Sequence, residues 1–217
     1  RSVYLKLGRV KLHITFPFAV FIAFICNSSA GEKLILTFVS ACLHECVHLI
    51  FLIGFGCTDL CLTLNPGGAA LRCSGLEQLG EIRLLVSLLS APAANLITGA
   101  VLQLLSGLFD SEALQSAAFV NLMLGGINLL PLSFSDGGRA LRAVLNVRYS
   151  QEIAEKKARL PRLLSISLLV CLSLLLGFLR YPATGVAVFT VYCAAAELYE
   201  PFRRQKQSKT EKENKPL

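Results

Sequence analysis

The sequence predicts an all-α polytopic membrane protein of six transmembrane helices, with a small membrane-associated β-hairpin between spans two and three. Three observations carry that expectation. The 217 residues are 54% hydrophobic and 16% charged, with a mean hydropathy of +0.61, too apolar for an ordinary soluble domain. Apolar stretches long enough to cross a hydrocarbon core of about 30 Å recur along the chain. The Lys and Arg residues fall almost entirely on one side of the layout that those stretches define.

Arg1–Lys11 reads as an amphipathic start with four basic residues, leading into a first span at Leu12–Ala30. His13 sits at the mouth of that span, where an interfacial histidine needs no further role. The chain opens on Arg1, and no short apolar stretch with a cleavage site precedes the first span, so no removable leader is expected. Gly31–Lys33 is a turn, and the second span, Leu34–Phe55, has His44 at its midpoint. Cys57–Leu79 breaks the helical pattern. Leu60, Leu62 and Leu64 alternate with Cys61 and Thr63, Asn65-Pro66-Gly67-Gly68 makes a turn, and Ala69, Leu71 and Cys73 alternate again. That is a hairpin pattern whose edge could receive an extended substrate strand.

The third apolar stretch, Ile82–Phe109, is interrupted by Ser90-Ala91-Pro92-Ala93-Ala94-Asn95. A proline there permits a kink, and Asn95 beside it needs a polar partner. Asp110–Glu112 is an acidic turn, the fourth span runs Ala113–Pro131, and a loop Leu132–Ser135 leads to Asp136-Gly137-Gly138-Arg139. A helix at Gly137–Val147 lies within a basic stretch, Arg139–Arg162, read as a loop with seven Lys or Arg. Spans at Leu163–Leu179 and Ala183–Leu198 follow, with Glu197 and Glu200 expected to snorkel to the interface. Residues 1–202 form the integral membrane domain, and the charged tail 203–217 is expected to be disordered and cytoplasmic.

With six spans, nineteen of the 21 Lys and Arg face one side and only Lys33 and Arg180 the other, which puts both termini in the cytoplasm. The formal charge of +7 thus reports orientation and implies no nucleic-acid partner. None of the eight cysteines forms a C-x-x-C pair, and they read as small buried hydrophobes, not a disulfide framework.

The chemistry gathers in the second span. His44 and His48 are four apart with Glu45 between them, the H-E-x-x-H arrangement. Side chains at i and i+4 lie one turn apart on one face, so both imidazoles can reach one Zn²⁺ while Glu45 meets a water that the metal has acidified. Cys46 projects from another face and is not counted as a ligand. A catalytic zinc needs a third protein ligand. Of the three aspartates, Asp136 alone lies among glycines directly after a span, although Asp also suits an N-cap there. Glu112, Glu152 and Glu155 are the carboxylates that a zinc site with a downstream Glu would use.

Three segments in order resemble the site-2 protease family of intramembrane zinc metalloproteases: His44-Glu45-Cys46-Val47-His48, Ala91-Pro92-Ala93-Ala94-Asn95, and Asn128-Leu129-Leu130-Pro131 through Asp136-Gly137-Gly138. They look like the family's H-E-x-x-H, G-P-x-x-N and N-x-x-P-x-x-x-x-D-G signatures, with Ala91, Phe134 and Ser135 departing from the usual residues. The resemblance implies that His44, His48 and Asp136 hold one zinc, that Glu45 is the general base, and that Asn95 and Asn128 position substrate backbone or the oxyanion. It implies a membrane-tethered protein substrate cut near the cytosolic side, and a regulatory membrane protein as a further partner. The layout is most similar to compact bacterial members that process a membrane-held transcription-factor precursor during sporulation, in the cell membrane. The competing expectation is a zinc-binding membrane protein without protease activity, such as a transporter.

Overall fold

A computed structural model describes residues 2–7, 10–15, 31–65, 68–74, 79–180 and 186–199, and it divides at Leu129/Leu130 into two compact units. Residues 16–30, most of the expected first span, lie outside the described residues, as do Glu200 and the charged tail.

The first unit begins with strands β1 (Ser2–Leu7) and β2 (Val10–Thr15), where the sequence reading placed an amphipathic lead and the start of a span. Val3, Leu5 and Leu7, then Val10, Leu12 and Ile14, alternate with polar neighbours at a period of two, which suits a strand and not a helix. The expected hairpin is β3 (Thr58–Asn65) and β4 (Gly68–Ser74), antiparallel with Asn65 paired to Gly68. It is half of a four-stranded sheet in the order β1-β2-β3-β4, so β4 is an outer strand. β2 and β3 pair in parallel, Val10 with Leu60 through Ile14 with Leu64. Parallel neighbours require a long crossover, and here it contains helix α1 (Gly31–Gly54). Asp59, at a φ of 53°, sits where the β3–β4 register shifts, a bulge conformation that Asp tolerates.

The sheet seats on the end of α1. Leu52 of α1, Cys57 and Leu60 are buried together, with Val10, Leu71, Cys73 and Leu79 packed against them. Burial, with the neighbouring Cys57 thiol, pushes the Cys73 thiol up to about 12, so it stays protonated and unreactive at neutral pH.

Helices α2 (Glu81–Phe109) and α3 (Glu112–Leu129) complete this unit. α2 runs through Pro92 without a break. The two helices approach closely because glycines face the contact: a Cβ on Gly99 would lie 2.9 Å from the Leu122 backbone nitrogen, and one on Gly125 would lie 2.9 Å from the Pro92 carbonyl oxygen. Small residues of this kind let membrane helices pack backbone to backbone.

The second unit holds α4 (Asp136–Arg148), α5 (Gln151–Phe178) and α6 (Val186–Tyr199). The basic stretch read as a loop is therefore mostly helix, broken only at Tyr149-Ser150. Glu197 does not snorkel. It accepts from both the backbone N–H and the hydroxyl of Ser133 (the hydroxyl at 2.7 Å) and lies 3.8 Å from the Arg162 guanidinium, with about a tenth of each charged side chain exposed. Arg162 also donates to Glu155 at 2.5 Å. Two charges withdrawn from solvent require such partners. Glu197→Gln keeps an acceptor for Ser133 but removes charge from this cluster. The expected result is a loss of about 1–3 kcal/mol of stability, read as a lower thermal midpoint in detergent, and an unchanged midpoint would show that Glu155 alone satisfies Arg162.

Among the described residues, three helices are long and apolar enough to cross a membrane: α1 from Leu34, α2 and α5, with α6 a shorter apolar helix. Only 6% of the apolar window of α5 is buried, so its leucines face outward as lipid contact requires. This is an integral membrane protein. α3 falls short of the same standard because Gln115, Ser116, Asn121 and Asn128 interrupt its 18 residues.

Candidate metal centre

α1 brings His44 and His48 onto one face, their ring centroids 4.8 Å apart and nearly perpendicular. Both are buried, at 5% and 7% exposure, and Glu45 between them is half-buried. Cys46 is exposed, away from this face. Each ring is fixed through Nδ1. His48 Nδ1 lies 2.7 Å from the Ser87 carbonyl oxygen, which can only accept, so Nδ1 carries the proton and Nε2 the lone pair. Ser87 lies on α2 five residues before Pro92.

His44 Nδ1 lies 2.6 Å from Asn95 Oδ1. The partner that Asn95 needed is thus the histidine, together with Asn121 of α3, to whose Oδ1 it donates at 2.9 Å. Asn121 in turn donates from Nδ2 to the Ala117 carbonyl at 2.9 Å and to the Ser40 hydroxyl at 3.1 Å. Ser40, His44, Asn95 and Asn121 are all buried. Asn128, half-buried, donates to the Leu124 carbonyl of its own helix at 3.0 Å.

Asp136 opens α4 and is buried, with Arg139 3.7 Å from its carboxylate. The N-cap alternative for Asp136 is overturned, because Ser135 holds that place. Its hydroxyl accepts from the Gly138 N–H at 3.1 Å and donates to the Leu132 carbonyl at 3.0 Å and to the Leu130 carbonyl. Arg142 donates to the Ser133 carbonyl at 2.8 Å from the other side of the turn. The cap of α4 is thus Ser135 and not Asp136.

His44 and His48 belong to the first unit and Asp136 to the second, and each is buried. Two imidazoles and a carboxylate, each buried, are a donor set that fits zinc. Carbonyl and carboxamide acceptors behind the rings are the supports that metal-bound histidines use. Two of the three alternative carboxylates are otherwise engaged: Glu152 pairs with Lys156 at 2.9 Å and Glu155 with Arg162. Sequence reasoning missed Asn121, Ser40, Ser135 and the Ser87 carbonyl. One pattern pointed to Asn121: Asn95 and Gly99 recur as Asn121 and Gly125, each pair i and i+4 on one helix face.

Residues 87–174 match the profile of peptidase family M50, a stretch that holds Asn95, Asn128 and Asp136. A zinc metalloprotease of Methanocaldococcus jannaschii is 34% identical over 150 residues, covering 64% of this chain and 43% of that protein. The chain thus spans less than half the length of that curated relative. The solved structure of the site-2 protease from Methanocaldococcus jannaschii superposes with a TM-score of 0.59 at 29% identity, over 91% of this chain and 95% of that one. All three matches are to zinc metalloproteases or site-2 proteases, which is the family that the H-E-x-x-H segment of this chain resembles.

Proposed function

We propose that this chain is an intramembrane zinc metalloprotease that hydrolyses a peptide bond in or near the transmembrane segment of a membrane-tethered protein. The observation that carries the reading is the buried pair His44 and His48 on one face of the first described span, with Glu45 between them. Ionisable groups are costly at such depth and are kept for a role.

His44, His48 and Asp136 would hold one zinc per chain, and the Nδ1 contacts to Asn95 and Ser87 leave Nε2 of each histidine as the nitrogen that could ligate. When bound, zinc supplies Lewis-acid activation of a water and of the scissile carbonyl. Glu45 would serve as the general base that takes a proton from the attacking water and returns it to the leaving amine. Asn128, and Asn95 through its second amide hydrogen, position substrate backbone or the oxyanion. β4 is an outer strand packed against α1, which suits it to receive an extended substrate by backbone pairing.

Six spans with both termini in the cytoplasm follow from the one-sided Lys and Arg distribution. A bacterial cell membrane, a transcription-factor precursor or its inhibitor as substrate, a gating membrane protein and a role in sporulation belong to the same reading. The full chain reconstituted with a single-span substrate tests the activity. Cleavage should disappear on chelation and return with about one equivalent of zinc. Cleavage that survives complete metal removal would overturn the reading, and zinc flux into vesicles that His44→Ala abolishes would favour a carrier.

A further inference from the structure

We infer that Asn121 is a positioning residue that fixes which nitrogen of His44 faces the metal, an inference that rests on the zinc-site reading above. The argument starts from a backbone carbonyl. Ala117 O can only accept, so the Asn121 group 2.9 Å away is its NH₂, and Oδ1 must point the other way. That oxygen faces Asn95, which therefore presents its own NH₂ to it. Asn95 Oδ1 is then the group that meets His44 at 2.6 Å, and it can only accept. His44 must carry its proton on Nδ1 and its lone pair on Nε2.

A carboxamide has nearly the same shape after a half-turn, so Asn95 alone does not choose. Turned over, it would offer an N–H to His44 Nδ1, which would then have to be the unprotonated nitrogen, with the proton on Nε2. That tautomer cannot ligate through Nε2. Asn121 removes the ambiguity because it is anchored to its own helix and to the Ser40 hydroxyl on α1, the helix of His44 itself. The anchoring needs α2 and α3 in close contact, which Gly99 and Gly125, one turn beyond each asparagine on the same faces, permit.

The test uses the full chain in detergent, with apparent zinc affinity measured by chelator competition in wild type, Asn121→Leu and Asn121→Asp. Leucine fills the site but cannot accept from Asn95. Aspartate keeps the acceptor that Asn95 needs. The expected result is a loss of zinc affinity of about tenfold or more in Asn121→Leu, as for other supports behind a metal-bound histidine, and recovery of most of it in Asn121→Asp. A packing role predicts the reverse order, because a buried carboxylate would disturb the helix contact more than an isosteric leucine would. Leucine binding zinc as tightly as wild type, or more tightly than aspartate, would overturn the inference, and Asn121→Ala carries the same test if the leucine variant does not fold. Long-range ¹⁵N–¹H spectra of the zinc-loaded wild type give an independent check: the His44 proton belongs on Nδ1, and its presence on Nε2 would also overturn it. A wild-type chain that binds no zinc would overturn the metal-site reading and this inference together.

Discussion

Glu45→Gln is expected to lower cleavage of a membrane-tethered substrate by roughly 10²–10⁴-fold, the usual contribution of a positioned general base, while zinc affinity stays within a few-fold of wild type. Glutamine has the size of glutamate and can accept a hydrogen bond, but it cannot take a proton. Measuring zinc content and fragment yield on the same preparation separates the two effects. A variant that retains full zinc and cuts within threefold of wild type would remove Glu45 from the mechanism. A variant that loses zinc would show that the carboxylate belongs to the ligand set.

Gly138→Ala is the second large effect. A Cβ on Gly138 would overlap the Leu132 carbonyl oxygen outright and lie 2.6 Å from its carbon, against an ordinary contact of 3.4 Å or more. Both partners are backbone, so no rotamer change relieves the clash. The turn from Leu130 to Ser135 must open, and the Ser135 hydroxyl that caps α4 and ties back to Leu132 loses its geometry. Overpacking of this kind typically costs about 1–3 kcal/mol, more where backbone must move, and the lost cap adds about 1 kcal/mol. Asp136 lies between the two, so zinc affinity should fall by about 10–100-fold, as when a ligand's support is lost, and cleavage should fall with it. Gly126→Ala is the control, because a Cβ there meets nothing within 4 Å and alanine favours the helix. Equal zinc affinity in Gly138→Ala and Gly126→Ala would show that Asp136 does not depend on this turn.

Much of the metal site was legible because its logic is local. His44 and His48 are linked by one helical turn, and Asp136 stood out among three aspartates by its glycines and its place after a span. The hairpin β3–β4 was legible from alternation with a Pro-Gly turn. β1 and β2 show the same alternation, but Lys6 and Lys11 made the segment read as the basic approach to a membrane helix, and its partner β3 lies beyond α1 in the chain. Partners distant in sequence account for two further misses. Glu197 is 64 residues from Ser133 and Asn121 is 81 from Ser40, and no periodicity within one segment reveals such pairs. Asn95 was seen to need a partner because it adjoins a proline, whereas Asn121, equally buried in an apolar helix, carried no neighbouring mark.

His44, His48 and Leu52 succeed one another at intervals of four along α1, and Leu52 is where the sheet is seated. Turning α1 by a single residue position would swing that whole row by about 100°, unseating the strands and misaiming both imidazoles in the same motion. The sheet seated at Leu52 thereby couples the rotation of α1 to the aim of both imidazoles.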